Sequence, residues 1–453
     1  MNDTVTIQIR NLAFGGAGVG EVVAQHDGHT DLLGITAFVP YAIIGEYVRA
    51  RVTERKDRHV QAQLISVEES TQERVTPRCS IFTICGGCEL QHIDYEAQLG
   101  QKREMIRGAL RAARLPTAII DAVEPVERSE SYGFRRRISL HIDSSGNVGF
   151  YRNSSRSVVP VSECPVAVPA INELLPNIQE FGRAVEGKIS SVLLEADEVG
   201  VIAVLKSPYD LSRPAVQTIS TAAKKHFPSA IIFSGVQEVD GFGRQILELP
   251  ITPRGTIKLR VPAGFFSQVN GDINQKLVAR AMELAGNVHQ QRVLDLYAGA
   301  GNFALPFAKA GGRVTAVECD KRLVALGREN ATQHGLQRSL EFCELSVEKY
   351  LTLTSAVRGK EKSGKDSGVK TAPEKMNTEK IDLIIADPPR SGLGTLLNSL
   401  PVADRFLLIS CQLPSFVRDI RGLVENGYNV KTIVPFDMFA QTSYVEILAL
   451  LER

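Results

Sequence analysis

The chain has 453 residues, too many for one hydrophobic core, and typical domain sizes predict about three domains. Its 52 Lys and Arg residues nearly balance its 51 Asp and Glu residues, which excludes a globally basic nucleic-acid-binding protein and confines any polyanion site to a local patch. Seven cysteines without a signal-peptide pattern favour a reducing compartment, and no apolar run reaches the ~20 residues that span a bilayer. We therefore expect a cytoplasmic protein that has no membrane partner.

Residues 1–70 are predicted to form a small β-barrel. Four alternating runs, "VTIQIRNL", "TAFVPYAII", "EYVRARVTER" and "HVQAQLISVEE", are separated by Gly-rich turns such as "GGAGVG". Basic residues cluster in one segment of this barrel: Arg49, Arg51, Arg55, Lys56 and Arg58. A solvated strand face and a phosphate-contacting surface explain this cluster about equally well.

Residues 71–270 are predicted to form a central α+β domain. The segment "YEAQLGQKREMIRGALRAARL" has helical spacing, and strand-like runs such as "FRRRISLHID" follow it. One face of the predicted helix is basic, and a solvated face is the usual explanation for such a stripe. Its members are Arg103, Arg107, Arg111 and Arg114.

Four cysteines of the central region have the spacing of a four-thiolate site. Cys79, Cys85 and Cys88 form C-x5-C-x2-C, and Cys164 follows at a distance in "VSECPV". Short thiolate spacings with one distant ligand suit either an iron–sulfur cluster or structural zinc. Cys319 and Cys343 lack such a pattern and are predicted to fill core space.

Residues 271–453 alternate between helical and strand patterns, which predicts an α/β domain with a doubly wound parallel sheet. Within it, residues 358–380 are charged, rich in Gly and Lys, and without an apolar face. We predict a disordered insertion there.

A glycine-rich turn in "VLDLYAGAGNFA" predicts a cofactor site. Gly299, Gly301 and Ala304 fit the dinucleotide fingerprint, with Glu318 as the later acidic residue for ribose hydroxyls. Asp295, just before the turn, suits a cationic amino-acid cofactor such as S-adenosylmethionine (SAM) better than a pyrophosphate. Later, "IIADPPRSG" places Asp387 and two prolines after a strand, as is typical of SAM enzymes.

Two reactive side chains stand in the last predicted strands. Cys411 ends the strand in "RFLLISC", where α/β sheets bind ligands, and Glu446 lies inside the otherwise apolar "SYVEILALL". Pyrimidine C5 is a poor nucleophile unless a thiolate adds to C6, and a base must afterwards remove the C5 proton. Cys411 and Glu446 supply such a pair, although a core cysteine and a water-facing edge residue are the plainer alternatives.

Nearly the whole chain resembles the bacterial SAM-dependent RNA (uracil-C5)-methyltransferases, in particular the 23S rRNA 5-methyluridine branch with a TRAM domain and a 4Fe-4S cluster. The front barrel resembles TRAM, an RNA-binding module. The matching motifs are C-x5-CGGC-x2-Q with "CPV", "FFSQVN", "DLYAGAGNF", "DPPR", "SCQLPSFVRD" and "YVE".

This resemblance implies Cys411 as the nucleophile and Glu446 as the base. It also implies SAM or site contacts for Gln268, Tyr297, Asn302, Glu318 and Asp387, and cluster ligands Cys79, Cys85, Cys88 and Cys164. The chain departs from the family pattern at Ser346, where an Asn or Asp is more usual, and at Ala298 and Leu413-Pro414.

The expected fold is a C-terminal Rossmann-like methyltransferase domain with an N-terminal TRAM- or OB-like barrel and a central α+β domain that holds the cluster. The expected activity is methyl transfer from SAM to C5 of a uridine in RNA, most consistent with 23S rRNA, through a Cys–C6 adduct. No obligate protein partner is expected. The alternatives are tRNA uridine methylation, a non-catalytic iron–sulfur RNA-binding protein, and an NAD-dependent oxidoreductase.

Overall fold

The structure, a computed structural model of the chain, describes residues 3–26, 30–361 and 380–453. Its first unit is the predicted small barrel, which five strands close in the order β1-β2-β3-β5-β4. Alternate residues of each strand point inward and form a separate core, as strand periodicity requires. The strands are β1 (Thr4–Leu12), β2 (Ala17–Gln25), β3 (Thr36–Pro40), β4 (Tyr47–Arg55) and β5 (His59–Glu69).

The glycines of "GGAGVG" form only partly the turn that was predicted. Gly15 and Gly16 make the turn with positive φ, but Gly18 and Gly20 lie inside β2. A Cβ on Gly20 would stand 2.2 Å from the Gln8 carbonyl oxygen of the neighbouring strand. Gly20 is therefore required by close strand approach and not by turn geometry.

Two helices follow the barrel, α1 (Tyr95–Ala112) and α2 (Thr117–Asp121). Their apolar residues, such as Ile106, belong to one core with the C-terminal sheet. The basic face of α1 is only partly solvated as predicted: Arg103 donates two hydrogen bonds to the Val123 carbonyl, and Arg107 donates one to the Ile120 carbonyl. These two guanidiniums thereby hold α2 in place.

A seven-stranded sheet forms the centre of the chain, in the order β12-β11-β10-β9-β6-β7-β8. Three helices cover one face, and the β13–β14 hairpin packs with the C-terminal core against the other. The strands are β6 (Arg137–Ile142), β7 (Val148–Tyr151), β8 (Val158–Pro160), β9 (Ser191–Ala196), β10 (Val201–Ser207), β11 (Ala230–Ser234), β12 (Gln237–Phe242), β13 (Ile246–Pro250) and β14 (Lys258–Pro262); the helices are α3 (Pro169–Asn172), α4 (Ile178–Ala184) and α5 (Arg213–His226).

The C-terminal sheet also has seven strands, in the order β17-β16-β15-β18-β19-β21-β20, with an apolar core on each face. The first five are parallel, as predicted, but β21 runs antiparallel to both of its neighbours, so the sheet is mixed. The strands are β15 (Arg292–Leu296), β16 (Arg313–Glu318), β17 (Leu340–Glu344), β18 (Ile381–Ala386), β19 (Ala403–Ser410), β20 (Asn429–Phe436) and β21 (Glu446–Glu452); the helices are α6 (Gly271–Ala285), α7 (Ala304–Lys309), α8 (Lys321–Gln333), α9 (Val347–Glu361) and α10 (Leu413–Glu425).

The predicted insertion at 358–380 lies mostly outside the described residues. Its first four residues belong to the end of α9, where a loop was predicted. Among the described helices, none combines the length and the apolar character that crossing a membrane requires.

Candidate active site

Cys411 and Glu446 lie beside each other at the ends of two adjacent strands. The antiparallel register pairs Ser410 of β19 with Ile447 of β21, so the next positions along the two strands are Cys411 and Glu446. Glu446 is only 2% exposed because β21 lies inside the sheet, which excludes a water-facing edge position. Asp387 follows the neighbouring strand β18 and completes a group of three acidic side chains.

Burial sets the protonation of this group. It raises the pKa of Cys411 to about 11, with the charges of Glu446 and Asp387 adding to the effect. Burial also raises the pKa of Asp387 to about 7. The pKa of Glu446 lies well above its usual value because of burial and then Asp387, and its Oε1 has no hydrogen-bond partner among the described residues. At neutral pH the site therefore retains protons that exposed carboxyl groups would lose.

One cation acts on the Cys411 thiol. Arg390 lines the same cavity as Cys411 and lowers the pKa of that thiol against the effect of burial. Its guanidinium carbon lies 5.9 Å from the centre of the Tyr444 ring. Arg418, which also lies nearby in sequence, is bound instead to Asp419 at 2.7 Å and to the Ser391 carbonyl at 2.6 Å.

Glu318 fixes the conformation of the glycine-rich turn between β15 and α7 by hydrogen bonding. Gly299 and Gly301 have φ of 57° and 109°, conformations that favour glycine. Glu318 Oε2 accepts a hydrogen bond from the Gly299 amide at 3.0 Å, and Oε1 accepts from the Cys319 and Asp320 amides at 2.7 and 2.8 Å. The turn and the end of β16 are thus fixed to each other by one carboxylate.

Asp295, next to this turn, is a buried carboxyl group without a partner. It is 1% exposed, and neither side-chain oxygen has a hydrogen-bond partner within the described residues. Burial and then the charge of Asp387 raise its pKa well above the usual value, against the opposing effect of the Ala304 amide, which lies outside hydrogen-bond geometry. Since an unpaired buried carboxyl group is unfavourable, this position fits a ligand with a cationic group, as the ammonium and sulfonium of SAM are.

Two of the residues predicted to contact SAM, Gln268 and Asn302, form hydrogen bonds with neighbouring residues. Gln268 is buried, and its backbone carbonyl accepts a 2.7 Å hydrogen bond from Arg136 Nε. Asn302 exchanges two side-chain hydrogen bonds with Asn274, at 2.9 and 3.1 Å. The hydrogen bonds between Asn302 and Asn274 therefore join the glycine turn to α6.

Tyr297 directly follows β15, and Ser346 directly precedes α9. Tyr297 has a φ of 63°, and burial, followed by the charges of Glu348 and Asp419, raises its pKa to about 12. The Ser346 hydroxyl accepts a 3.2 Å hydrogen bond from the Lys349 amide at the start of α9. Ser346 therefore caps a helix.

The four cysteines of the predicted cluster line one cavity of about 410 Å³, together with Cys411 and Arg390. All four are free and half-buried: Cys79, Cys85, Cys88 and Cys164. Of the other two cysteines, Cys343 is half-buried, but Cys319 is exposed and does not fill core space, because β16 ends one residue earlier.

The chemistry of these thiols fits a soft metal group. Burial raises the pKa of Cys85 to about 11, against a hydrogen bond from the Gly87 amide, and it raises the pKa of Cys164 against the Ala167 and Val166 amides. Such amides stabilise sulfur ligands. Among the described residues, however, no group of three or more His, Cys, Asp or Glu side chains is arranged to hold a metal ion. The iron–sulfur cluster thus stays a prediction.

The connection between β20 and β21, residues 437–445, contributes to the site more than its sequence indicated, since only its last two residues belong to a matched motif, "YVE". Phe439, Thr442 and Tyr444 from this connection line the cavity beside Cys411. Tyr444 meets the barrel residue Phe14 edge-on, with ring centres 5.6 Å apart. Because the backbone of residues 437–445 is irregular, this segment has no periodic sequence pattern from which its place in the site could have been predicted.

Comparisons with known proteins identify the family of this chain. The family model described as tRNA (Uracil-5-)-methyltransferase matches residues 244–453. The chain is 30% identical to the 23S rRNA (uracil(1939)-C(5))-methyltransferase RlmD of Shewanella sediminis, over 99% of this chain and 96% of that protein. It is 31% identical to the protein of the same name from Xanthomonas axonopodis pv. citri, over 96% of this chain and 95% of the relative.

A solved structure shares the fold over almost the full length. The Pyrococcus abyssi tRNA (uracil-54, C5)-methyltransferase, solved with S-adenosyl-L-homocysteine, superimposes with a TM-score of 0.69 at 22% identity, covering 98% of this chain and 99% of that one. The full-length relatives and the family match together identify the chain. It belongs to the SAM-dependent RNA (uracil-C5)-methyltransferase family.

Proposed function

We propose that this protein transfers a methyl group from SAM to C5 of a uridine in 23S rRNA, through a covalent bond between Cys411 and C6 of the base. The observation that carries this proposal is the placement of Cys411 and Glu446 at facing ends of β19 and β21, in a buried site at the sheet edge. A thiol and a carboxyl group so placed can act on the two adjacent carbons of one pyrimidine ring.

Cys411 would begin the reaction as a thiolate. Its sulfur forms a bond to C6, and the C5–C6 electron pair moves onto the ring carbonyl, which makes C5 nucleophilic. Because burial raises the pKa of Cys411 to about 11, the free thiol is mostly protonated at neutral pH. Arg390, which acts in the opposite direction on this pKa, is the residue that favours the thiolate.

Glu446 would complete the reaction. Bound SAM supplies the methyl group for C5, after which the C5 proton must leave so that the double bond can re-form and expel the Cys411 sulfur. Glu446 takes that proton as a carboxylate. This step requires Glu446 to be ionised, against burial and the charge of Asp387, which raise its pKa well above the usual value.

The cofactor would lie at the glycine turn. Asp295 provides the unpartnered buried carboxyl group for a cationic part of SAM, and Glu318 fixes the turn. Gln268, Tyr297, Asn302, Glu318 and Asp387 remain proposed contacts, and the Ser346 hydroxyl caps α9.

The four thiols would hold a 4Fe-4S cluster with Cys79, Cys85, Cys88 and Cys164 as ligands. Their shared cavity and the amides near the sulfurs support this assignment. Anaerobically purified protein should be brown and contain about four irons per chain. Colourless protein with one zinc would replace the cluster by a structural zinc site.

Ribosomal RNA is the favoured substrate because the full-length relatives are named for 23S rRNA, whereas the tRNA-methylating P. abyssi protein shares only 22% identity. Mapping methylated uridines by mass spectrometry, in RNA from cells with and without the gene, separates the two. A missing methyl group in tRNA alone would overturn the rRNA assignment.

Glu446→Gln tests the covalent mechanism. Cys411 should still add and the methyl group should still transfer, but elimination should stall, so a protein–RNA adduct should persist on denaturing gels. RNA containing 5-fluorouridine should trap the wild type in the same way, because fluorine cannot leave as a cation. Cys411→Ala is the matched control and should give no adduct with either RNA. Normal turnover of Glu446→Gln would assign the base to another group.

A further inference from the structure

Lys102 of α1 and Asp437, the first residue after β20, form an ion pair in which both side chains are fully buried. Lys102 also donates a 3.2 Å hydrogen bond to the Phe439 carbonyl. Tyr95 donates its hydroxyl to the second oxygen of Asp437 at 2.6 Å. We call these three side chains, Lys102, Tyr95 and Asp437, the α1 clamp.

The clamp holds the part of the chain that carries Glu446. Asp437 directly follows Phe436, and the β20–β21 register pairs Phe436 with Glu446. The clamp thus acts on the end of the strand pair where Glu446 faces Cys411. Residues 437–445 have no sheet pairing of their own in the structure as described, so contacts with other elements must fix their course.

Other contacts fix the middle of the same connection. Gln441, with a φ of 66°, accepts backbone hydrogen bonds from Glu89 and Leu90 at 3.1 and 3.0 Å, and its side-chain oxygen accepts from Gln98 at 3.0 Å. The loop that carries the cysteines and the helix α1 therefore bind the connection together. The clamp differs from these contacts because it lies at the connection's start, next to the cross-strand partner of Glu446.

Stability alone does not explain a buried charge pair here. Desolvation offsets much of the attraction, and apolar replacements of similar size are often neutral or stabilising. Unlike an apolar contact, this ion pair fixes the orientation of the Asp437 side chain, because one of its oxygens accepts from Lys102 and the other from Tyr95. Proton transfer is sensitive to such placement.

We propose that the α1 clamp is a positioning element for Glu446, which holds this carboxylate against the C5 proton and so governs the release of the product from Cys411. This inference rests on the proposed function, in which Glu446 is the base. It predicts that loosening the clamp slows the elimination step and leaves the earlier addition of Cys411 unaffected.

The test is the double variant Lys102→Met/Asp437→Asn, which removes both charges and keeps an acceptor for Tyr95. Turnover on unmodified RNA should fall about 10- to 100-fold, and the covalent adduct should accumulate. Trapping by 5-fluorouridine RNA, which needs only addition and methyl transfer, should stay within about threefold of the wild-type rate. Equal losses of trapping and turnover would make the clamp a general structural support and overturn the proposal, as would normal turnover.

The matched control is Arg244→Met/Asp197→Asn, which removes another ion pair whose carboxylate is fully buried, in the central sheet away from the connection. It should cause no adduct accumulation. Tyr95→Phe is a milder second variant, since it keeps the ion pair and removes the hydroxyl that bonds Asp437 and the Ser129 backbone, and it should also slow adduct release. If Glu446→Gln accumulates adduct while both clamp variants release it normally, the clamp proposal fails; if Glu446→Gln itself releases normally, the proposed base is wrong.

Discussion

Asp295→Asn should stabilise the cofactor-free protein and weaken SAM binding at the same time. Asp295 is 1% exposed and its two oxygens lack partners among the described residues. Its pKa is raised well above the usual value, chiefly by burial. A carboxyl group with a raised pKa binds its proton more tightly in the folded state, so folding stability falls as pH rises from about 4 towards that raised pKa.

The size of the effect follows from the same linkage. Each unit by which the pKa is raised corresponds to about 1.4 kcal/mol. Asparagine cannot ionise, so we expect the variant to be more stable than the wild type, with a larger gain at pH 8 than at pH 5.5. For a domain of this size each kcal/mol gained raises the melting temperature by roughly 2–4 °C. Losing a charge-assisted hydrogen bond should weaken SAM affinity about 10- to 150-fold.

Thermal unfolding at the two pH values and calorimetric titration with SAM measure both effects. Glu318→Gln is the contrasting control, because the Glu318 carboxylate accepts hydrogen bonds from three backbone amides and its loss should lower stability. An Asp295→Asn protein that is less stable than the wild type at pH 8, or that binds SAM equally well, would refute the proposal that Asp295 binds a cationic group of SAM.

Four further outcomes are expected. Cys411→Ala should abolish methylation of RNA while SAM affinity, measured by titration, stays within about threefold. Alkylation of Cys411 by iodoacetamide, followed by peptide mass spectrometry, should accelerate about tenfold per pH unit between pH 7 and 9, because the thiol pKa of about 11 keeps the thiolate scarce, and Arg390→Ala should slow it at every pH. Lys102→Met alone should lower the free energy of unfolding by about 3–5 kcal/mol, since it leaves a buried charge without its partner. Gly20→Ala should destabilise the barrel, seen as an earlier unfolding transition, because its Cβ meets the Gln8 carbonyl.

Local patterns in the sequence were sufficient to predict most elements of the fold. Strand alternation predicted the barrel, and apolar runs bounded by turn residues predicted the strands that end at Glu318, Ala386 and Ser410. Because ligands bind at the carboxyl ends of parallel strands, the residues at and just after those strand ends could be identified as site candidates from the sequence alone.

Long-range pairing could not be read in the same way. The direction of β21 depends on which strands it lies between, and its continuous apolar run would read the same in a parallel and in an antiparallel strand. Arg103 was assigned to a solvated face because its carbonyl partner, Val123, lies in a separate element. The buried ion pair of Lys102 could not be predicted for the same reason, because its partner Asp437 is 335 residues away.

Those separations also bear on how the protein folds during synthesis. The barrel strands pair among residues 4–69, so they can fold as soon as they leave the ribosome. Lys102 must wait for Asp437, 335 residues later, and Gly15 donates to Ser443 across 428 residues. At translation rates of roughly 5–20 residues per second, the helix that carries Lys102 stays without its partner for about 20–70 s. Glu446 and Cys411 therefore come together only after the barrel strands have left the ribosome, so the paired thiol and carboxyl group are among the last features of the fold to form.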